Sequence, residues 1–326
     1  MASAFSGIQP TGGSPHLGNY LGAFRRWAEL QQPDHFYCVV DLHAMTMPYE
    51  PGELRRRTID TATWLYAVGL DPDVCTVFVQ SHVREHTELA WILNCVATKG
   101  ELERMVQYKE KSRGQESVTV GLFDYPVLQA ADILLYKADE VPIGDDQRQH
   151  LELSRNIARR FNHRFGETFT VPKATFPPAG ARIMDLQVVD AKMSKSAQSP
   201  QGTIDLADDE DTTTRKIMRA VTDSGSEVRA APDKPGVTNL LDLLAAGTGA
   251  MVEELEQRYD GQGYGTFKRE VAEVVNGVLR PVRARHAELT ADPAAVEKLL
   301  RDGADRAREV AAGTMTTVRE RAGLLV

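Results

Sequence analysis

The sequence predicts an α/β protein with a doubly wound parallel sheet, followed by an all-helical C-terminal domain. Short apolar runs alternate with helical patterns from Phe5 to Gln80, which is typical of parallel strands joined by right-handed crossover helices. From Thr212 onward the pattern is helical to the end, with breaks only at turns rich in glycine, proline or serine. In such sheets ligands bind at the carboxyl ends of the strands, so we expect the functional site there.

The elements follow from local patterns in chain order. Strands are expected where the chain is short and apolar: at the start around Phe5, then His35–Asp41, Val74–Gln80, a short run from Glu140, and a last strand Ala181–Leu186. Helices are expected where apolar residues recur at helical spacing: Leu17–Gln31, Pro51–Gly69, most of Glu85–Tyr136, and Gln147–Phe161. The long stretch to Tyr136 should be interrupted at Gly100, Gly114 and around Gly121–Pro126.

Composition narrows the class of protein. With 326 residues, 42% of them hydrophobic and 26% charged, the chain is long enough for one large core and a second, smaller domain. No apolar run approaches the roughly 18 residues of a membrane span, and the N-terminus has no export signal, so we expect a cytoplasmic protein. The net charge of -8 argues against indiscriminate nucleic-acid binding but permits a structured RNA on a local basic face.

Cysteine spacing indicates neither a disulfide framework nor a zinc site. The three cysteines, Cys38, Cys75 and Cys95, show no C-x-x-C spacing and lie in apolar or helical surroundings. His82 and His86 stand four residues apart and would share a helical face, but no third metal ligand lies near them. We expect these histidines in a solvated loop or at a helix start.

Two separated segments point to a nucleotide. The first is a glycine-rich turn from Gly7 to Gly13 that leads into His16-Leu17-Gly18-Asn19 at a helix start, where a polyanion can approach backbone N–H groups. The second is Lys192-Met193-Ser194-Lys195-Ser196. Each alone has an ordinary explanation, as a turn before a helix or as a solvated loop. Neither a G-x-G-x-x-G nor a G-x-x-x-x-G-K-[ST] motif occurs, so the nucleotide must be held by other means.

Together, in this order, the two segments resemble the signatures of class I aminoacyl-tRNA synthetases, usually written His-Ile-Gly-His and Lys-Met-Ser-Lys-Ser. The second match is complete. The first departs at Leu17 and Asn19, and Asn at the last position is usual in tryptophan enzymes. Gly-Ile-Gln-Pro-Thr-Gly at Gly7–Gly12 is also similar to bacterial tryptophanyl-tRNA synthetases, and the likeness, which implies a Rossmann-like catalytic domain, covers nearly the whole chain.

The resemblance implies ATP as a substrate, with Mg²⁺ carried on its phosphates. His16 and Asn19 would stabilise the phosphates, and Lys192 and Lys195 would stabilise the leaving pyrophosphate. The residues implied to hold ATP are Gln9, Pro10, Thr11, Gly18, Asn19, Gly144, Asp145, Asp146, Gln147, Ile183, Lys192, Met193, Ser194, Lys195 and Ser196. Asp145 and Asp146 also suit a helix N-terminus without any ligand. The sequence contains no cluster of carboxylates of the kind that forms a dedicated metal site.

A second implied site binds tryptophan. Helical spacing places Tyr125, Gln129 and Asp132 on one face, and an aspartate among Leu, Ala and Ile needs a donor if it is buried. Without the resemblance, a capping or surface aspartate is the simpler interpretation. The resemblance implies that Asp132 accepts the indole N–H. The other residues implied to shape the pocket are Phe5, Gly7, His43, Gln107, Tyr125, Gln129, Val141 and Ile143.

Two alternatives stay open. A tyrosine enzyme is favoured by Gln129, since tryptophan enzymes usually carry Met there and tyrosine enzymes have Gln three residues before the aspartate. Phe5 and Gln9 weigh against it, because tyrosine enzymes carry Tyr and Asp at those places. The other alternative is a regulatory or RNA-binding paralogue that does not aminoacylate, although His16 and both loop lysines are present.

The resemblance also predicts the domains and partners. Residues 1–188 would form the catalytic domain with a dimer-forming helical insertion at about 85–136, residues 189–200 a mobile loop, and residues 201–326 a tRNA anticodon-binding domain. The last helix would pack back on the catalytic domain. The expected partners are tRNA(Trp), L-tryptophan and a second copy of the chain, with no membrane and no DNA. Six arginines form either an RNA-contacting face or an ordinary solvated surface: Arg280, Arg283, Arg285, Arg301, Arg306 and Arg308.

Overall fold

Five parallel strands form a single sheet in the N-terminal half of the chain. This computed structural model describes residues 3–114, 117–176, 183–194 and 199–325, without the side chain of Asp145. The strands are β1 Ala4–Ile8, β2 His35–Val39, β3 Thr76–Val79, β4 Glu140–Pro142 and β5 Lys173–Thr175. Their order is β3-β2-β1-β4-β5, with Phe5 of β1 opposite Phe36 of β2. The order reverses between β1 and β4, and ligands bind at such a switch point.

Helices connect the strands and cover both faces of the sheet. Those up to β4 are α1 Leu17–Asn19, α2 Arg25–Leu30, α3 Asp41–Ala44, α4 Pro51–Ala67, α5 Glu85–Asn94, α6 Lys99–Glu103, α7 Val106–Ser112 and α8 Val120–Leu135, with a π-helical turn Tyr20–Phe24 between α1 and α2. The later helices are α9 Arg148–Phe165, α10 Glu210–Met218, α11 Pro235–Thr248, α12 Val252–Arg258, α13 Gly263–Ala291 and α14 Pro293–Ala322.

The alternation of side chains along the strands explains why helices pack on both faces of the sheet. In β2, Tyr37 and Val39 pack in one apolar cluster with α4, α11 and α13, whereas Phe36 and Cys38 pack in another with α5, α8, α9 and α14. Successive side chains point to opposite faces of a strand, so each apolar residue of β2 is buried on one side or the other. The predicted fold class is therefore confirmed. No helix in the described residues has both the length and the apolar character needed to cross a membrane.

Two element predictions were wrong. The expected break around Gly121–Pro126 is absent, because α8 runs unbroken through Pro126 from its N-cap Thr119. Ten residues of α8 are buried, and this packing outweighs the cost of an interior proline. The last strand is Lys173–Thr175 and not Ala181–Leu186, since the described part of the latter, from Ile183, makes only an isolated bridge between Met184 and Lys192. Strand β5 has exposed or half-buried side chains and therefore lacks an apolar signal.

The last helix, α14, lies against the sheet edge. A Cβ on Gly303 would stand 1.9 Å from the backbone oxygen of Val77 in β3, so only glycine permits this approach. Ala304, Ala307 and Ala311 are fully buried along the same helix. Near its end, the Arg319 guanidinium makes two hydrogen bonds to the carboxylate of Glu88 in α5. These contacts join the C-terminal residues to the sheet and to the helical insertion.

Candidate active site

A cavity of about 280 Å³ opens at the carboxyl ends of β1 and β4, at the switch point of the sheet. Every residue implied to shape the tryptophan pocket lines it: Phe5, Gly7, His43, Gln107, Tyr125, Gln129, Asp132, Val141 and Ile143. Gln9 and Gln147, which were assigned to ATP, also line this cavity. No sequence signal predicted the remaining lining residues, which are Ser6, Val40, Thr46, Lys111, Ile133 and Pro142.

Asp132 lies at the back of this cavity and is 1% exposed. Its Oδ2 is 2.8 Å from His43 Nε2, and its Oδ1 is 2.6 Å from His86 Nδ1 and 2.7 Å from Gln80 Nε2. Burial alone would raise the pKa of Asp132, but the hydrogen bonds from His43 and His86 outweigh it and hold that pKa below its ordinary value. The carboxylate is therefore ionised at neutral pH and offers a buried acceptor.

His86 lies at a helix start, which is one of the two positions expected from the sequence. It belongs to the first turn of α5, as a helix start predicts, but it is fully buried and not solvated. Its ring joins Asp132 to the Tyr136 hydroxyl, which lies 2.8 Å from Nε2. His82 is exposed on the preceding turn. The spacing of the two histidines could not show this difference, because burial depends on α8, which lies about 40 residues further along the chain.

A second polar group borders the cavity at Tyr125. The Tyr125 hydroxyl donates to Gln107 Oε1 at 3.2 Å and lies 2.8 Å from His150 Nε2. Burial, with a smaller contribution from Lys111, lowers the pKa of His150 to about 4, and burial raises the pKa of Tyr125 to about 12. Both side chains are therefore neutral at pH 7. Gln129 Nε2 donates to Gln147 Oε1 at 3.3 Å, so two amides face each other across this side of the pocket.

A second cavity, of about 370 Å³, adjoins the first. Gly7 and Gln9 line both cavities, so the two spaces meet at the end of β1. The lining includes residues from both predicted nucleotide segments, namely Gln9, Thr11, His16, Asn19 and Ser194. Trp27 and Trp64 also line it, although no sequence pattern predicted this position for them.

His16 and Asn19 cap the helix that follows the glycine-rich turn. The Asn19 backbone N–H donates to His16 Nδ1 at 3.2 Å, and Asn19 Oδ1 accepts from the His16 backbone N–H at 3.1 Å. This reciprocal pair is a capping box, which explains why an amide suits the last position of the motif. Because Nδ1 is an acceptor, the neutral imidazole carries its proton on Nε2.

The second nucleotide segment lies directly against the first. Met193 N–H donates to the oxygen of Ile183 at 3.1 Å, and a Cβ on Gly18 would stand 3.6 Å from Met193 Cβ. Thr203 Oγ1 donates to the Ser194 oxygen at 3.0 Å, and Leu17 N–H donates to the Ile204 oxygen at 2.8 Å. Residues 203 and 204, which follow the second nucleotide segment, thus hold it against the helix start through hydrogen bonds. Lys195 and Ser196 lie outside the described residues.

Other residues assigned to ATP are not among those that line the two cavities in the described part of the chain: Pro10, Gly18, Gly144, Asp146, Ile183, Lys192 and Met193. Gly144 and Asp146 are close together, since a Cβ on Gly144 would stand 2.7 Å from Asp146 Oδ1. Gln147 Nε2 donates to Asp146 Oδ2 at 2.7 Å, which connects this turn to the first cavity. Asp145 lies in the same short 3₁₀ turn.

The arginines of the C-terminal helices contact this chain itself. Arg280 makes two hydrogen bonds to Glu210, and Arg283 donates to the Leu206 oxygen and to Thr213. The others also have partners: Arg285 with Glu288, Arg301 with Glu297, Arg306 with the Cys75 oxygen, and Arg308 with Asp305. Among the described residues, no group of three or more His, Cys, Asp or Glu side chains is arranged to hold a metal ion.

The fold is a doubly wound α/β sheet with a cleft at its switch point. The cleft contains a buried carboxylate and, beside it, a glycine-rich turn that leads into a helix start. This arrangement is suited to binding a nucleotide beside a second small ligand. Comparison with known proteins gives the family. The chain belongs to the tRNA synthetases class I (W and Y), whose family model matches residues 1–280.

Individual relatives cover the full chain. Tryptophan–tRNA ligase 2 of Streptomyces avermitilis is 52% identical over 324 residues, which cover 98% of this chain and 96% of the relative. The tryptophanyl-tRNA synthetase structure from Mycoplasma pneumoniae has a TM-score of 0.87 at 34% identity, with coverages of 100% and 98%. The Campylobacter jejuni tryptophanyl-tRNA synthetase, complexed with ADP and tryptophan, has a TM-score of 0.84 at 35% identity, with coverages of 99% and 100%.

Proposed function

We propose that this chain attaches L-tryptophan to tRNA(Trp) in two steps, through a tryptophanyl-adenylate formed from ATP. The observation that carries the proposal is the pair of joined cavities, one with a buried ionised carboxylate and the other lined by both nucleotide segments. The 52% identity to a tryptophan–tRNA ligase over nearly the full chain supports the same substrates.

In the first step, the carboxylate of tryptophan attacks the α-phosphate of ATP and pyrophosphate leaves. The amino acid occupies the cavity of Asp132, and the phosphates extend through Gly7 and Gln9 into the cavity of His16. His16 donates from Nε2 to a phosphate oxygen, while Lys192 and Lys195 stabilise the charge on the leaving pyrophosphate. Because the tryptophan carboxylate attacks ATP directly, no side chain forms a covalent bond to the substrate. The acceleration of adenylate formation therefore comes from positioning and from fixed charges.

The remaining assigned residues hold the nucleoside. Met193, Gly144, Asp146 and Gln147 flank the adenine and ribose, and Ile183 fixes Met193 through its backbone hydrogen bond. Mg²⁺ would enter the site together with ATP, and it would neutralise part of the phosphate charge there.

Exchange of labelled pyrophosphate into ATP tests the proposal and its tyrosine alternative together. The purified chain should catalyse exchange with tryptophan and none above background with tyrosine, because Phe5 itself has no hydroxyl to pair with the phenol. Exchange with tyrosine alone would establish the tyrosine enzyme instead. Exchange without charging of tRNA(Trp) would favour the paralogue that does not aminoacylate.

We also infer a homodimer built on the helical insertion, residues 85–136. Trp91 of α5 is 72% exposed and Val120 at the start of α8 is 78% exposed, and such large apolar side chains favour a covered surface. Analytical ultracentrifugation should give a dimer for the native chain and a monomer for Trp91→Lys. A native monomer at micromolar concentration would refute the inference.

We further propose residues 1–188 as the catalytic domain, 189–200 as the loop of the second nucleotide segment, of which 195–198 lie outside the described residues, and 201–326 as the domain that binds the tRNA anticodon. Because Arg280 and Arg283 bind groups of this chain, they are poor candidates for RNA contacts. Crosslinking of tRNA(Trp) to the chain, followed by peptide mapping, should place the anticodon on residues 201–326. We expect this activity in the cytoplasm.

A further inference from the structure

The two oxygens of Asp132 have different surroundings. Oδ2 is bonded to His43, which lines the cavity, whereas Oδ1 is bonded to His86 and Gln80, which do not line it. Gln80 and His86 are both fully buried. Oδ1 is thus turned into the protein, and Oδ2 is the oxygen on the cavity side.

The orientation of the Gln80 amide follows from its second contact. Gln80 Oε1 accepts the backbone N–H of Leu42 at 3.2 Å, so the amide NH₂ must face Asp132. Leu42 directly precedes His43 in α3. Gln80 therefore ties both the carboxylate and the segment that carries His43 to the end of β3.

The tautomer of His86 is fixed in a similar way. An ionised carboxylate only accepts hydrogen bonds, so His86 Nδ1 must carry a proton toward Asp132 Oδ1. Its ring is held between Phe78 and Tyr136, at centroid distances of 5.8 and 5.5 Å. Neither the ring nor the amide can turn away from Oδ1 without breaking a buried contact.

We propose that Gln80 and His86 are positioning residues that set the specificity of the pocket for an amino acid with a ring N–H. Their hydrogen bonds to Oδ1 hold the carboxylate in an orientation in which a lone pair of Oδ2 faces the cavity beside His43. The proposal rests on the proposed function, since it takes tryptophan as the ligand of this cavity. It assigns the alignment of Asp132 to two side chains that never touch the substrate.

The test compares tryptophan with L-3-benzothienylalanine, in which sulfur replaces the indole N–H. The quantity measured is kcat/KM for tryptophan divided by kcat/KM for benzothienylalanine, both in pyrophosphate exchange. A general loss of structure lowers both values, whereas misalignment of Asp132 lowers only the value for the amino acid that donates. The ratio therefore separates positioning from stability.

Two substitutions with the same number of side-chain heavy atoms isolate the donor of residue 86. His86→Leu removes the Nδ1 proton, whereas His86→Asn places an amide N–H close to the same point, and both remove the partner of Tyr136. We expect the ratio to fall at least about tenfold in His86→Leu and to stay within about threefold of the native value in His86→Asn, as for a lost bond to a charged group. His82→Leu, on the exposed turn before α5, is the control and should leave the ratio unchanged.

A ratio unchanged in a folded His86→Leu chain would overturn the proposal. If that chain does not fold, Gln80→Leu gives the same measurement through the other donor of Oδ1, and an unchanged ratio there overturns it equally. Failure of the proposed function is distinguishable, because the native chain would then show no exchange with tryptophan at all.

Discussion

Met193 lies against Gly18: a Cβ on Gly18 would be in ordinary contact with Met193 Cβ at 3.6 Å and would crowd His16 Nδ1 at 3.0 Å. The two nucleotide segments are far apart in the sequence, yet they meet at the same helix start. This contact places Ser194 on the same cavity as His16 and Asn19. The close approach also explains why a glycine stands between His16 and Asn19.

Gly18→Ala should therefore weaken the use of ATP. The added methyl group must displace the imidazole of His16 by a few tenths of an ångström, which disturbs the capping box with Asn19. We expect the KM for ATP to rise about tenfold and the KM for tryptophan to change little. Gly52→Ala is the matched control, since a Cβ there meets nothing within 4 Å and should leave both constants unchanged. An unchanged KM for ATP in Gly18→Ala would contradict the close contact.

Asp132→Asn should weaken tryptophan binding and spare ATP. The amide can accept on one side only, so at least one of His43, His86 and Gln80 faces an NH₂ group, and the charged acceptor is lost. We expect the KM for tryptophan to rise about 10- to 100-fold. Asp124→Asn, on the same helix and bonded to Asn94, is the control. A parallel rise in the KM for ATP would show that the site is disrupted as a whole.

Gly303→Ala should destabilise the protein. The new Cβ would overlap the backbone oxygen of Val77 at 1.9 Å, so α14 must move away from β3. We expect a loss of about 3 kcal/mol in the free energy of unfolding, measured by urea denaturation. Gly313→Ala lies in the same helix with nothing within 4 Å and should stabilise by about 0.5–1 kcal/mol. Equal midpoints for the two variants would mean that α14 does not pack on the sheet in solution.

His150 should make the stability depend on pH between about 6.5 and 4. Its pKa is lowered to about 4 in the folded chain, so between these values the unfolded chain binds a proton that the folded chain does not. Stability therefore falls as the pH falls through this window, by about 2 kcal/mol from pH 7 to about pH 5. His150→Gln keeps a donor toward Tyr125 and should lose that part of the pH dependence. Identical curves for the two proteins would contradict the buried, neutral histidine.

Local signals predicted most of the sheet, the glycine-rich turn and the shared helical face of α8, whereas the other residues of the two sites were implied only by the family resemblance. Glycine spacing marks the turn after β1, and the helical spacing of Tyr125, Gln129 and Asp132 places them on one face of α8, which lines the first cavity. The arrangement behind Asp132 has no such signal. Gln80, at the end of β3, and His86, in α5, both donate hydrogen bonds to its carboxylate. A local residue pattern cannot predict that two such segments meet at one side chain.

Two other features could not be predicted from the sequence for the same physical reason. Strand β5 is recognised only through its pairing with β4, since Lys173 is exposed and its neighbours are half-buried. For the arginines of α13 the sequence left two interpretations open, an RNA-contacting face or a solvated surface, because spacing shows charge but not partners. Arg280 and Arg283 find theirs in residues 206–213, a segment that only the folded chain brings beside α13.

The most direct test of the central claim is the single-turnover rate of tryptophanyl-adenylate formation at saturating tryptophan and ATP. If both nucleotide segments act on one triphosphate, His16→Ala and Lys192→Ala should each lower this rate about 100-fold or more, while Lys173→Ala, exposed on β5, should leave it unchanged. A native rate in either His16→Ala or Lys192→Ala would contradict the account.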